Sequence, residues 1–329
     1  MDIKGFVKKG RFFREKSWFG KTMRPDLRVK IGSLVLDNPV MVASGTFGYA
    51  EEFKDFIELK KLGAIVTKTI TVKARNGNLP PRTCETPAGL LNSIGLENPG
   101  LDNFISDKMP FLKKLGVPLV VSIAAEEDSG EFFTLAEKLG GIGAVSAIEL
   151  NISCPNMRKD KLIAQDPKDT FALVSAVRRV TDKCLITKLS PNVASVSEIA
   201  LAAQDAGSDA VSLINTLTGM SIDVQRRIPK IASCIGGLSG PAIRPVAVRM
   251  VWEVYRKINI PIIGMGGIMD TESALEFFLA GAAAVSLGTV NFVNPRACLE
   301  VIHGLERYLI DNGIPELSRL KGSLKLCQD

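Results

Sequence analysis

Lys68 and Lys188 each stand near the end of an otherwise apolar run, residues 64–69 and 185–190. Two ammonium groups brought together repel unless an anion lies between them, so the pair suits an anionic ring or a carboxylate. A surface lysine on a buried stem is the plain alternative for either one. Asn92, Asn151 and Asn215, with Thr216 beside the last, also fall on or near the ends of such runs. Buried amides are costly unless hydrogen-bonded, so a cluster of them fits a planar ring carrying C=O and N–H edges. Singly, each could be a turn cap. Cys154 lies in Asn151-Ile152-Ser153-Cys154-Pro155-Asn156, where Pro155 holds it out of helical geometry. A thiol there can act as nucleophile, base or ligand, although the ordinary role of cysteine is inert packing. The single histidine, His303, reads as a surface residue of a late helix. No histidine is therefore at hand to activate the thiol, and a proton acceptor beside a cationic lysine fits Cys154 better. Gly266-Gly267 and Gly288-Thr289 end two further runs. Missing side chains there let backbone N–H groups approach a phosphate, and two such sites at the strands where a barrel binds one favour that reading over two ordinary turns.

These residues need elements that carry them to one place. Eight β-branched runs can be read, at 39–44, 64–69, 119–124, 147–153, 185–190, 210–216, 261–266 and 284–289. Helical periodicity separates most of them, at 50–62, 132–139, 167–181, 196–206, 241–258, 271–280 and 295–312. Strands alternating with helices pair in parallel through right-handed crossovers. Eight such units in this length predict a closed (β/α)8 TIM barrel in the α/β class, with the active site at the C-terminal ends of the strands. Residues 29–36, with Gly32-Ser33 between two apolar triplets, predict a hairpin able to plug the other end. Residues 76–98 read as a long Pro/Gly/Asn-rich loop, a length usually reserved for function or disorder.

Composition narrows the class. The chain has 329 residues, 46% hydrophobic and 23% charged, which allows one large core. No apolar run is long enough to span a bilayer. The net charge of +6 is concentrated at the start: residues 1–22 hold seven basic and two acidic side chains, a net of +5. The remainder is close to neutral and lacks the basic face of a nucleic-acid reader. The six cysteines fit no zinc or iron–sulfur spacing, so no metal site is expected. The absence of a secretory signal points to reduced thiols and a cytoplasmic protein. The expected division is a basic extension over 1–23, a barrel over 24–315 and a tail over 316–329. The extension is read as a flexible or partner-contacting arm.

Several segments together resemble a known family. Leu91-Asn92-Ser93-Ile94-Gly95-Leu96-Glu97-Asn98-Pro99-Gly100 resembles the substrate loop of class 1 dihydroorotate dehydrogenases. Asn151 to Asn156 resembles their catalytic segment. Gly236-Gly237-Leu238-Ser239-Gly240-Pro241-Ala242, Ile263-Gly264-Met265-Gly266-Gly267 and Gly288-Thr289 resemble their flavin-phosphate region. The likeness runs over about residues 26–312. Glu85-Thr86-Pro87-Ala88-Gly89 and Asn215-Thr216-Leu217 look like the B-type of that class.

The resemblance implies FMN bound by Ser44, Lys68, Thr69, Ser122, Asn151, Lys188, Ile214, Gly240, Gly266, Gly267, Gly288 and Thr289. It implies dihydroorotate or orotate held by Lys68, Asn92, Ser93, Ile94, Gly95, Leu96, Asn151, Asn215 and Thr216. Cys154 is then the base for the C5 proton while a hydride leaves C6 for flavin N5. Lys68 and Lys188 stabilise the electron density building on the ring. B-type relatives pass electrons to a partner carrying FAD and a [2Fe–2S] cluster and on to NAD. The implied assembly is a homodimer core with an electron-transfer subunit, a heterotetramer serving pyrimidine (UMP) biosynthesis. Departures are Ala125 where glycine is expected, Ser122 where relatives often have asparagine, and residues 157–161, which lack the usual glycines. Rival readings are a dihydropyrimidine (uracil or thymine) dehydrogenase barrel, a fumarate-using A-type enzyme and a non-catalytic flavin-binding barrel.

Overall fold

The computed structural model describes residues 24–153 and 163–326. Eight parallel strands form a closed barrel: β1 Val40–Val42, β2 Ala64–Val66, β3 Leu119–Ile123, β4 Ala147–Asn151, β5 Cys184–Lys188, β6 Ala210–Leu213, β7 Ile262–Met265 and β8 Ala284–Leu287. Each pairs with its successor, and the ring closes where Val285 of β8 opposes Val40 of β1. Every residue of these strands is buried. Alternation divides them into two cores. Val40, Val42, Ile65, Val121, Ile148, Leu185 and Val211 point outward into the layer shared with the helices. Met41, Ala64, Val66, Val120, Ala147, Ile186, Ala210 and Ile263 point inward. This two-residue period is what a barrel with a filled interior requires.

The bottom of the interior is closed by the expected hairpin, Val29–Ile31 paired antiparallel with Leu34–Leu36. Gly32 turns it with φ +57°, and Ile31, Leu34 and Leu36 join the inward core. The Cys184 thiol donates to the Ile31 carbonyl at 3.2 Å, tying the plug to β5. Burial pushes that thiol up to about 12, so it is a packing group and not a nucleophile. At the other end of the chain, the Asp26 amide donates to the Pro315 carbonyl, and the Leu317 amide to the Asp26 carbonyl. Leu317 and Leu320 lie in the outer core, so packing continues past 315, where the tail was expected to begin.

Helices Gly130–Gly140, Pro167–Arg178, Val196–Asp205, Arg244–Tyr255, Thr271–Ala280 and Ala297–Asp311 follow the pattern read from sequence. Their starts have identifiable caps. Asp166 accepts from the Lys168 amide, Ser195 from the Glu198 amide, and Asp270 forms a capping box with Ser273.

Two expectations need correction, and one element was not foreseen. Residues 50–62 do not form an α-helix. Ala50 is left-handed at φ 69°, and only the short 3-10 turns Glu51–Phe53 and Leu59–Lys61 remain. The apolar spacing there serves an aromatic stack, Phe47 on Phe53 at 3.9 Å, instead of a helix face. Residues 76–98 are not a plain loop. Thr83–Thr86 and Gly89–Asn92 form a hairpin that joins Ile235–Ser239 and Leu217–Met220 in a four-stranded antiparallel sheet. A helical segment over residues 100–112 was not anticipated: Gly100–Asn103, a π-helical turn Phe104–Lys108, then Met109–Leu112. Pro110 hides it from the sequence reading. Proline has no N–H for a carbonyl four residues back, and the helix widens to i→i+5 bonding just before it.

The plug makes a stability prediction. Leu36→Ala removes a side chain with no exposure and should cost about 2–5 kcal/mol. Val35→Ala, on the same strand but 59% exposed, should change stability by no more than about 0.5 kcal/mol. Urea unfolding of both variants measures the difference; equal midpoints would show that the hairpin does not close the core.

Candidate active site

A cavity of about 870 Å³ opens at the C-terminal rim of the barrel. The strand ends expected from sequence to carry chemistry converge on it. Ser44 follows β1, Lys68 and Thr69 follow β2, and Asn151 and Lys188 end β4 and β5. Ile214, Asn215 and Thr216 follow β6, Gly266 and Gly267 follow β7, and Gly288 and Thr289 follow β8. Gly240 and the segment Asn92, Ser93, Ile94, Gly95 and Leu96 complete the wall. Cys154 lies outside the described residues, and among those described one expected residue is not on the wall. Ser122 is fully buried behind Thr69.

A chain of hydroxyls lines one side. Ser44 Oγ and Thr69 Oγ1 are 2.9 Å apart, and Thr69 Oγ1 and Ser122 Oγ 3.0 Å. Asn151 Nδ2 donates to Thr69 Oγ1 at 3.4 Å, which turns the amide oxygen away from that chain. Asn151 Oδ1 is buried without a hydrogen-bond partner among the described residues. A buried acceptor left open is the expected signature of a group shaped to receive a ligand's N–H.

The floor carries an ion pair. Lys188 is 5% exposed, and its Nζ lies 4.0 Å from Oε1 of Glu149, which is 2% exposed. Ser212 Oγ donates to the other carboxylate oxygen at 3.0 Å. Lys188 thus has a counter-ion inside the protein, whereas Lys68 shows no ion pair among the described residues and stands half-buried at the cavity wall.

The opposite side is a glycine cradle. Gly240, Gly266 and Gly267 have φ of 92°, 125° and 76°, conformations L side chains rarely adopt. A Cβ on Gly267 would lie 2.8 Å from the Gly240 carbonyl, and one on Gly240 would lie 2.8 Å from the Gly89 Cα. Thr289 Oγ1 donates to Ser239 Oγ at 2.8 Å, and Ser239 Oγ to the Leu90 carbonyl at 3.2 Å. Gly240 also opens the 3-10 turn Pro241–Ile243 that runs into the helix Arg244–Tyr255, so a helix start lies beside the cradle.

The third side is held by amides. Asn92 Nδ2 donates to the Gly237 carbonyl at 3.1 Å. Asn78 Nδ2 donates to Ser93 Oγ at 2.6 Å, and Arg82 pairs with Glu97. Asn98 receives the Thr71 and Gly100 amides and donates to the Leu96 carbonyl at 2.7 Å. Across the cavity, Asn192 Nδ2 donates to the Thr216 carbonyl at 3.1 Å while its Oδ1 accepts the Thr218 amide at 3.0 Å.

The sequence model of the dihydroorotate dehydrogenase family matches residues 26–309. The chain belongs to the dihydroorotate dehydrogenase family. Its relatives include "Dihydroorotate dehydrogenase B (NAD(+)), catalytic subunit" of Trichlorobacter lovleyi, 51% identical over 304 residues, 92% of this chain and 100% of the relative. The protein of the same name from Geotalea uraniireducens is 51% identical over 92% of this chain and 99% of its own length. That from Thermoanaerobacter sp. strain X514 is 50% identical over 302 residues, again 92% of this chain and 99% of the relative.

Within this dihydroorotate dehydrogenase fold, sequence reasoning missed Glu149, Asn192 and Arg82. Glu149 could have been found: a carboxylate at an inward position of an apolar strand needs a buried cation, and Lys188 is the cation of the next strand. Asn192 and Arg82 act through backbone carbonyls, and no residue type signals such partners in advance.

Lys188→Met should cost about 3–5 kcal/mol, because it leaves Glu149 buried without its cation. Adding Glu149→Gln should return more than half of that loss. Denaturant unfolding of the two single variants and the double variant tests this; strict additivity would mean the pair does not interact.

Proposed function

We propose that this chain oxidises (S)-dihydroorotate to orotate in pyrimidine (UMP) biosynthesis, as the catalytic subunit of an NAD-linked dihydroorotate dehydrogenase. The observation that carries the reading is the convergence of Lys68, Asn151, Lys188, Asn215 and the glycine cradle on one cavity, in a chain of this family. FMN is the proposed cofactor, and the residues present fit it. Asn151 offers an open buried acceptor, and the cradle of Gly240, Gly266 and Gly267 excludes any side chain where a phosphate needs backbone amides. Ser44, Lys68, Thr69, Asn151, Lys188, Ile214, Gly240, Gly266, Gly267, Gly288 and Thr289 would hold it directly. Ser122 would act through Thr69. When bound, the flavin supplies the hydride acceptor for C6 of the substrate.

The chain's own residues do the rest. Lys68 and the amides of Asn92, Asn151 and Asn215 orient the ring and its carboxylate, with Thr216 and the Ser93–Leu96 backbone completing the contact. Holding Asn92 through Gly237 and Ser93 through Asn78 keeps those donors in place before substrate arrives, which lowers the ordering cost of binding. Cys154 removes the C5 proton, and Lys68 and Lys188 supply fixed positive charge. Electrons then pass to a partner subunit carrying FAD and a [2Fe–2S] cluster, in a heterotetramer built on a homodimer of this chain in the cytoplasm.

Anaerobic mixing of the purified, flavin-loaded protein with dihydroorotate should bleach the flavin's visible absorbance. Cys154→Ala should keep its flavin and bleach about 10²–10⁴-fold more slowly at neutral pH. Bleaching at the wild-type rate would remove Cys154 from the role of base. The chain alone should not reduce NAD, and adding the electron-transfer partner should restore that reaction.

A further inference from the structure

The inward alternation of the barrel places Glu149 in the layer directly beneath the cavity. On β4, Ala147 points into the interior, so Glu149 and Asn151 share its face; on β5, Ile186 points inward, so Lys188 does too. Glu149 opposes Ile186 in the strand register, and Asn151 opposes Lys188. The carboxylate therefore lies one layer below the site, beside the stem of the lysine whose ammonium lines the cavity. Val211 and Leu213 point outward on β6, so Ser212 points in, and its hydroxyl fixes one carboxylate oxygen at 3.0 Å. The other oxygen faces Lys188 at 4.0 Å and has no hydrogen bond among the described residues.

This arrangement is poorly suited to fold stability, since a buried carboxylate with an open lone pair is expensive and an apolar pair of similar volume would be cheaper. It is well suited to setting an electric field. A lone buried ammonium at the floor would stabilise any negative charge developing above it to the full extent of its field. A carboxylate held on its far side reduces that field and fixes the direction in which the ammonium points. We propose that Glu149 is a positioning residue that tunes the redox site through Lys188: it damps the positive charge presented to the cofactor and so holds the flavin's reduction potential below the value Lys188 alone would impose. The proposal rests on the flavin reading of this cavity.

The test is the midpoint potential of the bound flavin, measured by equilibration with a reference dye in the full-length protein. Glu149→Gln keeps the shape and removes the charge; it should shift the reduced-to-oxidised ratio at fixed dye potential at least tenfold toward reduced, about 30 mV for a two-electron couple. Glu149→Asp keeps the charge and changes the shape; it should stay within about threefold of wild type. A purely structural role predicts the reverse order, with Gln wild-type-like and Asp displaced, and that result would overturn the proposal. Should Glu149→Gln not retain flavin, Lys188→Met and the Lys188→Met/Glu149→Gln double variant decide. Lys188→Met should shift the ratio at least tenfold toward oxidised, and the double variant should return most of that shift. A double variant no different from Lys188→Met would also overturn the proposal. Wild-type protein that binds no flavin would defeat the flavin reading itself, whereas bound flavin with an unmoved potential defeats only the role of Glu149.

Discussion

Everything at the site depends on the hydrogen-bonded closure of the sheet between β8 and β1. Val285 opposite Val40 joins strands nearly 250 residues apart in sequence and turns eight short parallel strands into a ring. Parallel pairing puts all eight C-terminal ends on one rim, so each strand contributes its last one or two side chains to the same space. Ser44 and Thr289 face one cavity for this reason alone. The ring also forces the interior to be filled. The lower part is filled by Met41, Ala64, Ile186 and the Ile31–Leu36 plug, all apolar. The upper part is filled by Glu149, Ser212, Lys188 and Asn151, all polar. The change from oil to charge along one barrel axis marks where stability ends and chemistry begins.

A second structure rides on the rim. The antiparallel sheet of residues 83–92 and 217–239 brings the segment that ends in Asn92 and the segment that leads into the glycine cradle into one hydrogen-bonded unit. Gly237 pairs with Asn92 in that sheet and also accepts from its side chain. Two positions along, Ser239 pairs with Leu90 and meets Thr289 from β8. A displacement of the glycine cradle is therefore felt at Asn92 through three residues of strand. The glycines at 236, 237 and 240 allow this close packing: a Cβ on Gly237 would lie 2.1 Å from Thr216 Oγ1, and one on Gly236 would lie 2.6 Å from the Asn92 carbonyl.

The barrel was legible in the sequence because its strands are buried on both faces and read as apolar runs separated by helical periods. The plug was legible because Gly32-Ser33 separates two triplets of alternating pattern. The cavity residues were legible wherever a polar or glycine residue ended an apolar run, as at Lys68, Asn151, Lys188 and Gly266. The failures have physical causes. The spacing of Phe53, Phe56, Ile57 and Leu62 satisfies a helix, but Ala50 is left-handed and Glu52 accepts the Tyr49 amide, which commits the chain to tight turns. The strands of residues 83–92 gain their partners from residues 235–239, a pairing no local window contains. Ser122, implied by the resemblance alone, is the penultimate residue of β3; Ile123 follows it and bridges to Ile70, and Thr69 lies between Ser122 and the cavity.

The described residues also constrain how a proton can be handled here. His303 is exposed on the outer helix Ala297–Asp311 and cannot reach the rim. Cys184 lies at the plug and Cys298 in the outer core beside Asn291, and burial pushes both thiols up to about 12, so neither ionises near neutrality. Glu149 is committed to Lys188 below the floor. Gln165 Nε2 donates to the Asn192 carbonyl at 3.1 Å. Asn192 in turn holds Ser190, Thr216 and Thr218 at the ends of β5 and β6. Gln165 is thus tied through Asn192 to the strand ends that present Lys188 and Thr216, so the described part of this rim is fixed by amide and hydroxyl contacts and not by a titratable side chain.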